Sequence, residues 1–89
     1  MEPLLDAKTC IVTGGAQGIG LATAEMMWKH GANIVVADVS EVRPDSTTQF
    51  SDRFLHVACD VTEITSMERL FDRAVDKFGA VNVLVNNAG

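Results

Sequence analysis

Apolar and polar positions alternate in blocks along the chain, and the period changes from block to block. "KTCIVTG" (8–14) is a short run rich in β-formers that closes on a glycine. "GLATAEMMWKHG" (20–31) reads as a helix, with Ile19, Ala22, Met26 and Met27 recurring near helical spacing. Lys29 and His30 fall in its last turn, where positive charge suits the helix dipole, and Gly31 suits the residue just past the end. "NIVVAD" (33–38) is apolar on both faces, as a central parallel strand should be. The stretch 41–50 is weaker, because Pro44 and a Ser-Thr-Thr run argue for a short or irregular helix. "RFLHVACD" (53–60) predicts a third strand and "VNVLVN" (81–86) a fourth. Between them "SMERLFDRAVDKFG" (66–79) is the clearest helix, with Met67, Leu70, Phe71, Ala74, Val75 and Phe78 on one face. Thr65 and Glu68 offer it a capping box, and Gly79 can close its far end.

The order is therefore β-α-β-(α)-β-α-β over one partial domain, residues 1–89. Strands joined through helices must be parallel, and such crossovers are right-handed. The fold class is α/β, an open doubly wound parallel sheet of about four strands in the order 3-2-1-4. Its topological switch lies between strands 1 and 4, and ligands of such sheets bind beyond the carboxyl ends of the strands at the switch. Thr13-Gly14 ends strand 1 and Asn86-Asn87 ends strand 4, so both segments should meet at that crevice. Strand 4 should be an edge, apolar on both faces, of the kind that invites pairing with another chain.

Charge and composition narrow the function classes. The formal charge is −5 and no basic run occurs, which argues against a nucleic-acid binder. A hydrophobic fraction of 47% is too high for a disordered chain. The N-terminal letters "MEPLL" do not read as a signal peptide, and every apolar run is too short to span a membrane. Cys10 and Cys59 sit in apolar stretches, and their spacing suggests neither a metal site nor a redox pair. Buried free thiols fit a reducing, cytoplasmic setting.

Candidate chemistry concentrates at the strand ends. Gly14, Gly18 and Gly20 follow a strand and open a helix. Gly14 can leave the strand through backbone angles closed to other residues, Gly18 lets an anion approach the main chain, and Gly20 lets the helix pack closely. A glycine trio alone also fits a tight turn with no ligand. Asp38 ends the second strand about 20 residues after the last glycine, where an acid can bond the ribose 2′-OH of NAD. It could equally be an ordinary strand-end or capping acid. A 2′-phosphate would face this carboxylate, and two unit charges about 4 Å apart repel by roughly 1 to 4 kcal/mol. Val39 follows it and offers no cation, so NAD is expected over NADP. Asp60, between Cys59 and Val61, sits in an apolar neighbourhood and needs a donor. An adenine amino group would serve, as would the start of the next helix through "DVT". Asn86 and Asn87 could merely end a strand. His30, His56, Trp28 and the methionine pair read as helix-end, strand and packing residues. No metal-ligating set and no catalytic residue is found.

"TGGAQGIG" (13–20), "AD" (37–38), "CDV" (59–61) and "NNAG" (86–89), in this order, resemble the start of a classical short-chain dehydrogenase/reductase, and the resemblance covers essentially all 89 residues. It implies a Rossmann-type fold and a nicotinamide dinucleotide. By the resemblance the residues from Gly14 to Gly20, Gly18 among them, hold the pyrophosphate with the Ile19 backbone contributing, Asp38 binds the adenosine ribose with Val39 next to it in the cofactor site, and Asp60 reaches the adenine amino group while Val61 contacts the ring. The segment Asn87, Ala88 and Gly89 lines the cofactor and steadies the central sheet. Gln17 occupies a place that is often basic in NADP-preferring members, which again favours NAD. The family's hydride chemistry uses a Tyr-x-x-x-Lys pair with a serine and an asparagine, all later than the NNAG motif. This sequence has no tyrosine, and none of Lys8, Lys29 and Lys77 fits the pair. Two readings follow. One is the NAD-binding segment of an alcohol/ketone oxidoreductase whose intact form is a homo-oligomer, inactive as this segment alone. The other is a stand-alone nucleotide-binding or decoy subunit that pairs with a full-length relative.

Overall fold

A computed structural model of the chain describes residues 5–16, 18–39 and 52–87. Four strands, β1 (Thr9–Thr13), β2 (Asn33–Asp38), β3 (Phe54–Ala58) and β4 (Val83–Asn86), form one parallel sheet in the order β3-β2-β1-β4. Helix α1 (Gly18–Lys29) joins β1 to β2, and α2 (Ile64–Phe78) joins β3 to β4. The order 3-2-1-4 expected from the sequence is the one observed. The possible helix in 41–50 lies outside the described residues.

Strand alternation divides the core into two layers. Cys10, Val12, Ile34 and Val36 pack with Phe54, Ala24 of α1 and Ala32, just past that helix. Ile11, Val35, Ala37 and Val57 pack with Cys59 and with Leu70 and Ala74 of α2. The two central strands are thus buried on both faces, which is why they read as unbroken apolar runs. Cys10 and Cys59 are both free and buried, and burial pushes the Cys10 thiol up from its ordinary value. No described helix is long and apolar enough to cross a membrane.

Both helices depart from the faces expected of them. In α1 the buried residues are Gly20 and Ala24, with Met27 and Trp28 partly packed, whereas Ile19 and Met26 are 79% and 61% exposed. Small side chains set the closest contact here, since they let the helix axis come close to the sheet, with Met27 and Trp28 packed at its margin and Ile19 and Met26 turned outward. In α2, Leu70 and Ala74 are buried and Met67, Phe71 and Phe78 pack at the margin, but Val75 is 46% exposed. The Thr65–Glu68 capping box does not form. The helix starts at Ile64 with Glu63 as the N-cap residue and no side-chain cap, so Thr65 lies already inside the first turn. A turn at Asp60, closed by Glu63 N–H donating to the Asp60 carbonyl at 3.0 Å, delivers the chain to the helix early. At the far ends the expectation holds. Gly31 and Gly79 have φ of 96° and 87°, and the Gly79 N–H closes α2 on the Val75 carbonyl at 2.7 Å.

Two polar side chains fix the ends of these elements. Asn82 extends the β1–β4 ladder, since its Oδ1 accepts from Thr9 N–H at 2.8 Å and its own N–H donates to the Thr9 carbonyl at 2.9 Å. Arg53 clamps the end of α1. Its Nη1 donates to the Ala32 carbonyl at 2.7 Å and the Trp28 carbonyl at 3.3 Å, and its guanidinium lies 4.7 Å from the Trp28 ring centre. Positive charge at a helix C-terminus and over an indole face is favourable in both roles. Arg53→Ala should therefore lower stability by about 1–2 kcal/mol, read as a lower urea midpoint in Trp28 fluorescence. An unchanged midpoint would show that the clamp contributes nothing.

Candidate functional site

The turn after β1 is tied to the strands on both sides of it. Gly14 turns the chain with φ of 65°, and its N–H donates to the Ala37 carbonyl at 2.7 Å, one residue beyond the last strand pair. Ala16 N–H donates to Asp38 Oδ2 at 3.2 Å, so the acid at the end of β2 is held against the turn. On the other side, Thr13 Oγ1 accepts from Asn87 N–H at 2.9 Å and lies 3.3 Å from both the Val85 carbonyl and Asn86 Oδ1. Asn87 Nδ2 donates to the Gly14 carbonyl at 3.3 Å. The ends of β1 and β4 meet at the switch point, as the topology requires. The asparagine pair bonds the strand-end hydroxyl and nearby main chain, which ties the end of β4 to the turn.

The glycines divide the work at this turn. A Cβ on Gly20 would collide with the Gly14 carbonyl oxygen and stand 2.7 Å from Asn87 Nδ2, so the helix can approach the turn only without a side chain there. Gly18 opens α1 with φ of 58°, and a Cβ on it would meet nothing within 4 Å. The main chain is therefore open at the helix start, where the first N–H groups have no acceptor within the helix and the dipole is positive. Ile19 stands exposed beside them. An open backbone with unpaired donors fits an anion such as a pyrophosphate. Gly15, which sequence reasoning passed over, is a second close-packing position, 3.0 Å from the Val12 carbonyl and the Val36 side chain if given a Cβ.

A third strand end completes the site. Cys59 N–H donates to the Asp38 carbonyl at 2.8 Å, which extends the β2–β3 ladder and brings Asp60 level with the turn. Asp60 N–H donates to Ser66 Oγ at 3.0 Å. Its carboxylate Oδ1 accepts from both the Thr62 hydroxyl at 2.6 Å and the Thr62 N–H at 2.9 Å. The Thr62 hydroxyl, then the Thr62 N–H, holds this carboxyl below its ordinary value. Gly14, Asp38, Val39, Asp60, Val61 and Thr62 line a crevice of about 330 Å³ beyond the carboxyl ends of β1, β2 and β3. Five of the sequence-derived residues are thus brought to one hollow. A wider hollow of about 590 Å³ lies on the α2 side of Asp60, bordered by Ser66 and Arg69.

Gly18, Ile19 and Gly20 flank this crevice at the helix start, and Asn87 supports the turn rather than lining the hollow. Gln17, Ala88 and Gly89 lie outside the described residues. Among the described residues no three His, Cys, Asp or Glu side chains gather to hold a metal. Sequence reasoning missed Ala16 and Ser66, and gave the side chains of Thr13 and Thr62 no bond of their own at the site. The Asp-x-Thr spacing at 60–62 is the usual signature of a local side-chain turn and could have disclosed Thr62. Ala16 acts through its main chain and leaves no such trace.

With two carboxylates on its rim, the crevice can receive hydroxyl and amino donors and repels a further anion, while the helix start beside it attracts one. The family model described as short chain dehydrogenase matches residues 8–89. An uncharacterised oxidoreductase of Mycobacterium bovis is 40% identical over 92 residues, covering 100% of this chain and 37% of the relative. The cis-4-hydroxycyclohexanecarboxylate dehydrogenase of Sinomonas cyclohexanicum is 44% identical over 85 residues, covering 92% and 34%. Among solved structures, 3-ketoacyl-(acyl-carrier-protein) reductase from Brucella melitensis, complexed with NADH, superposes with a TM-score of 0.89 at 32% identity over 96% of this chain and 36% of that one. The chain spans about a third of the length of the relatives it matches.

Gly20→Ala should cost about 3 kcal/mol or more, because the clash is with backbone. Gly18→Ala should cost only about 1–2 kcal/mol, the penalty of a left-handed residue with open space around it. Denaturant unfolding of the two variants tests the order, and a Gly18 variant as damaged as the Gly20 one would contradict it. For Asp60 the lowered carboxyl sets the sign. Its contribution to stability is present above the ordinary aspartate pKa and is lost as pH falls through the lower folded value. A carbon-13 titration of the Asp60 carboxyl should show a midpoint below that of a free aspartate, and an ordinary midpoint would contradict the Thr62 contacts.

Proposed function

The chain belongs to the short-chain dehydrogenase family, and on that premise we propose that it forms the adenosine- and pyrophosphate-holding part of a nicotinamide dinucleotide site that prefers NAD to NADP. The observation that carries the reading is the convergence of Gly14, Asp38, Val39, Asp60 and Val61 on one crevice beside an open helix start. In this reading the main chain from Gly14 to Gly20, with Gln17 in the turn and the N–H of Ile19, receives the pyrophosphate. Asp38 accepts from the adenosine ribose hydroxyls with Val39 beside it, and Asp60 and Val61 receive the adenine. Asn87, Ala88 and Gly89 are assigned to the cofactor site on the family resemblance. Bound there, the dinucleotide would supply hydride-transfer chemistry at its nicotinamide end. The residues described here bind and orient the other end.

Asp38 carries the preference for NAD. Its carboxylate is anchored to Ala16 N–H, so it cannot swing aside for a 2′-phosphate without losing that bond. Repulsion of roughly 1 to 4 kcal/mol corresponds to about one to three decades of discrimination. The complete protein is proposed as a homo-oligomeric oxidoreductase acting on an alcohol or ketone, in the cytoplasm. These 89 residues contain no tyrosine, so the family's Tyr-x-x-x-Lys pair is not among them.

Calorimetric titration with NAD and NADP tests the cofactor reading. NAD should bind at least about tenfold more tightly than NADP, and Asp38→Ala should weaken NAD and bring the two within about threefold. Binding of neither dinucleotide would overturn the reading. Equal binding by the unaltered chain would overturn the preference alone.

A further inference from the structure

We propose that Thr62 is a positioning residue that orients the Asp60 carboxylate to select an adenine by its exocyclic amino group. The inference rests on the dinucleotide reading above and adds a residue to it. The bond from Thr62 N–H to Asp60 Oδ1, at 2.9 Å, is enough to close the local turn. The Thr62 hydroxyl adds a second bond, at 2.6 Å, to the same oxygen. Chain reversal does not require it. Its effect is on the carboxylate plane, which a single donor would leave free to rotate and two donors on one oxygen fix. Both bonds from Thr62 fall on Oδ1, which leaves Oδ2 as the oxygen proposed to meet the ligand.

The surroundings match the ligand edge such an oxygen would read. Asp60 and Thr62 line the 330 Å³ crevice together with Val39, Val61 and Ala37, apolar groups suited to the faces of a base. Asp60 is held ionised by the same contacts, so it accepts and does not donate. An ionised acceptor in a partly apolar hollow welcomes an amino group and repels a carbonyl oxygen. Adenine presents the amino group at that edge, whereas hypoxanthine presents a carbonyl. Ser66 fixes the other side of the residue by accepting from Asp60 N–H at 3.0 Å, so main chain and side chain are both held.

The test compares NAD with nicotinamide hypoxanthine dinucleotide, by calorimetry, on the whole chain and on T62V, T62S and D60N. The unaltered chain should prefer NAD by about tenfold or more. T62V keeps the N–H and removes only the hydroxyl. It should bring the preference to within about threefold while leaving affinity for the hypoxanthine dinucleotide within about twofold, and T62S should restore the preference. The Asp60 carboxyl titration should also move up toward the ordinary range in T62V. A T62V variant that loses both ligands equally, or keeps the full preference while D60N abolishes it, overturns the role of Thr62 and leaves the dinucleotide reading standing. If the unaltered chain binds neither ligand, the dinucleotide reading fails, and this inference with it.

Discussion

The backbone contact between α1 and the turn before it governs the rest of the site. Gly20 lies so close to the Gly14 carbonyl that no side chain fits between them. That approach lets a helix of weak amphipathic character bury Gly20 and Ala24 against the sheet and turn Ile19 and Met26 outward. It also aims the helix start at the end of β1, where β4 arrives to supply Asn87 to the same carbonyl. Donors and dipole at that point are consequences of packing. They are strengthened because the turn is held from both sides, by Ala37 and Asp38 of β2 and by Thr13 with Asn87.

A division of charge follows from this geometry. The helix start is electropositive, and the crevice beside it carries Asp38 and Asp60. A ligand with an anionic middle and a donor-rich end matches both parts, and the proposed preference against an additional phosphate on that end rests on Asp38. Parallel pairing produces the division, because every strand delivers its carboxyl end to one edge. Residues far apart in the chain are thereby set side by side. Membership of the short-chain dehydrogenase family agrees with such a site, and the chain spans about a third of its relatives' length.

Much of the fold was legible because its strands are central and parallel. Cys10 to Val12 and Ile34 to Ala37 are buried on both faces, so they stand out as apolar runs whatever their register. Glycines were legible where a turn or a close approach excludes every other residue. Helix faces were less so. Val75 and Met26 follow the apolar period yet stand in solvent, because periodicity marks a stripe and small residues decide which edge of it touches the sheet. The capping box failed for a different reason, since the Asp60 turn started α2 before Thr65 could cap it. Bonds made by main chain, such as Ala16 to Asp38, have no side-chain signature, and those spanning the sheet, such as Asn87 to Gly14, join residues 73 apart. Asp38 and Asp60 were found by position. What orients them was found only from their neighbours.

The most direct measurement is a map of backbone amide shifts as NAD is added to the isotopically labelled chain. Shifts should concentrate at Gly14, at Gly18 to Gly20, at Asp38 and at Asp60 to Thr62, with the outer face of α2 unmoved. Shifts confined to the α2 residues Ile64, Met67 and Phe71, or none at saturating NAD, would contradict a dinucleotide site at the ends of β1, β2 and β3.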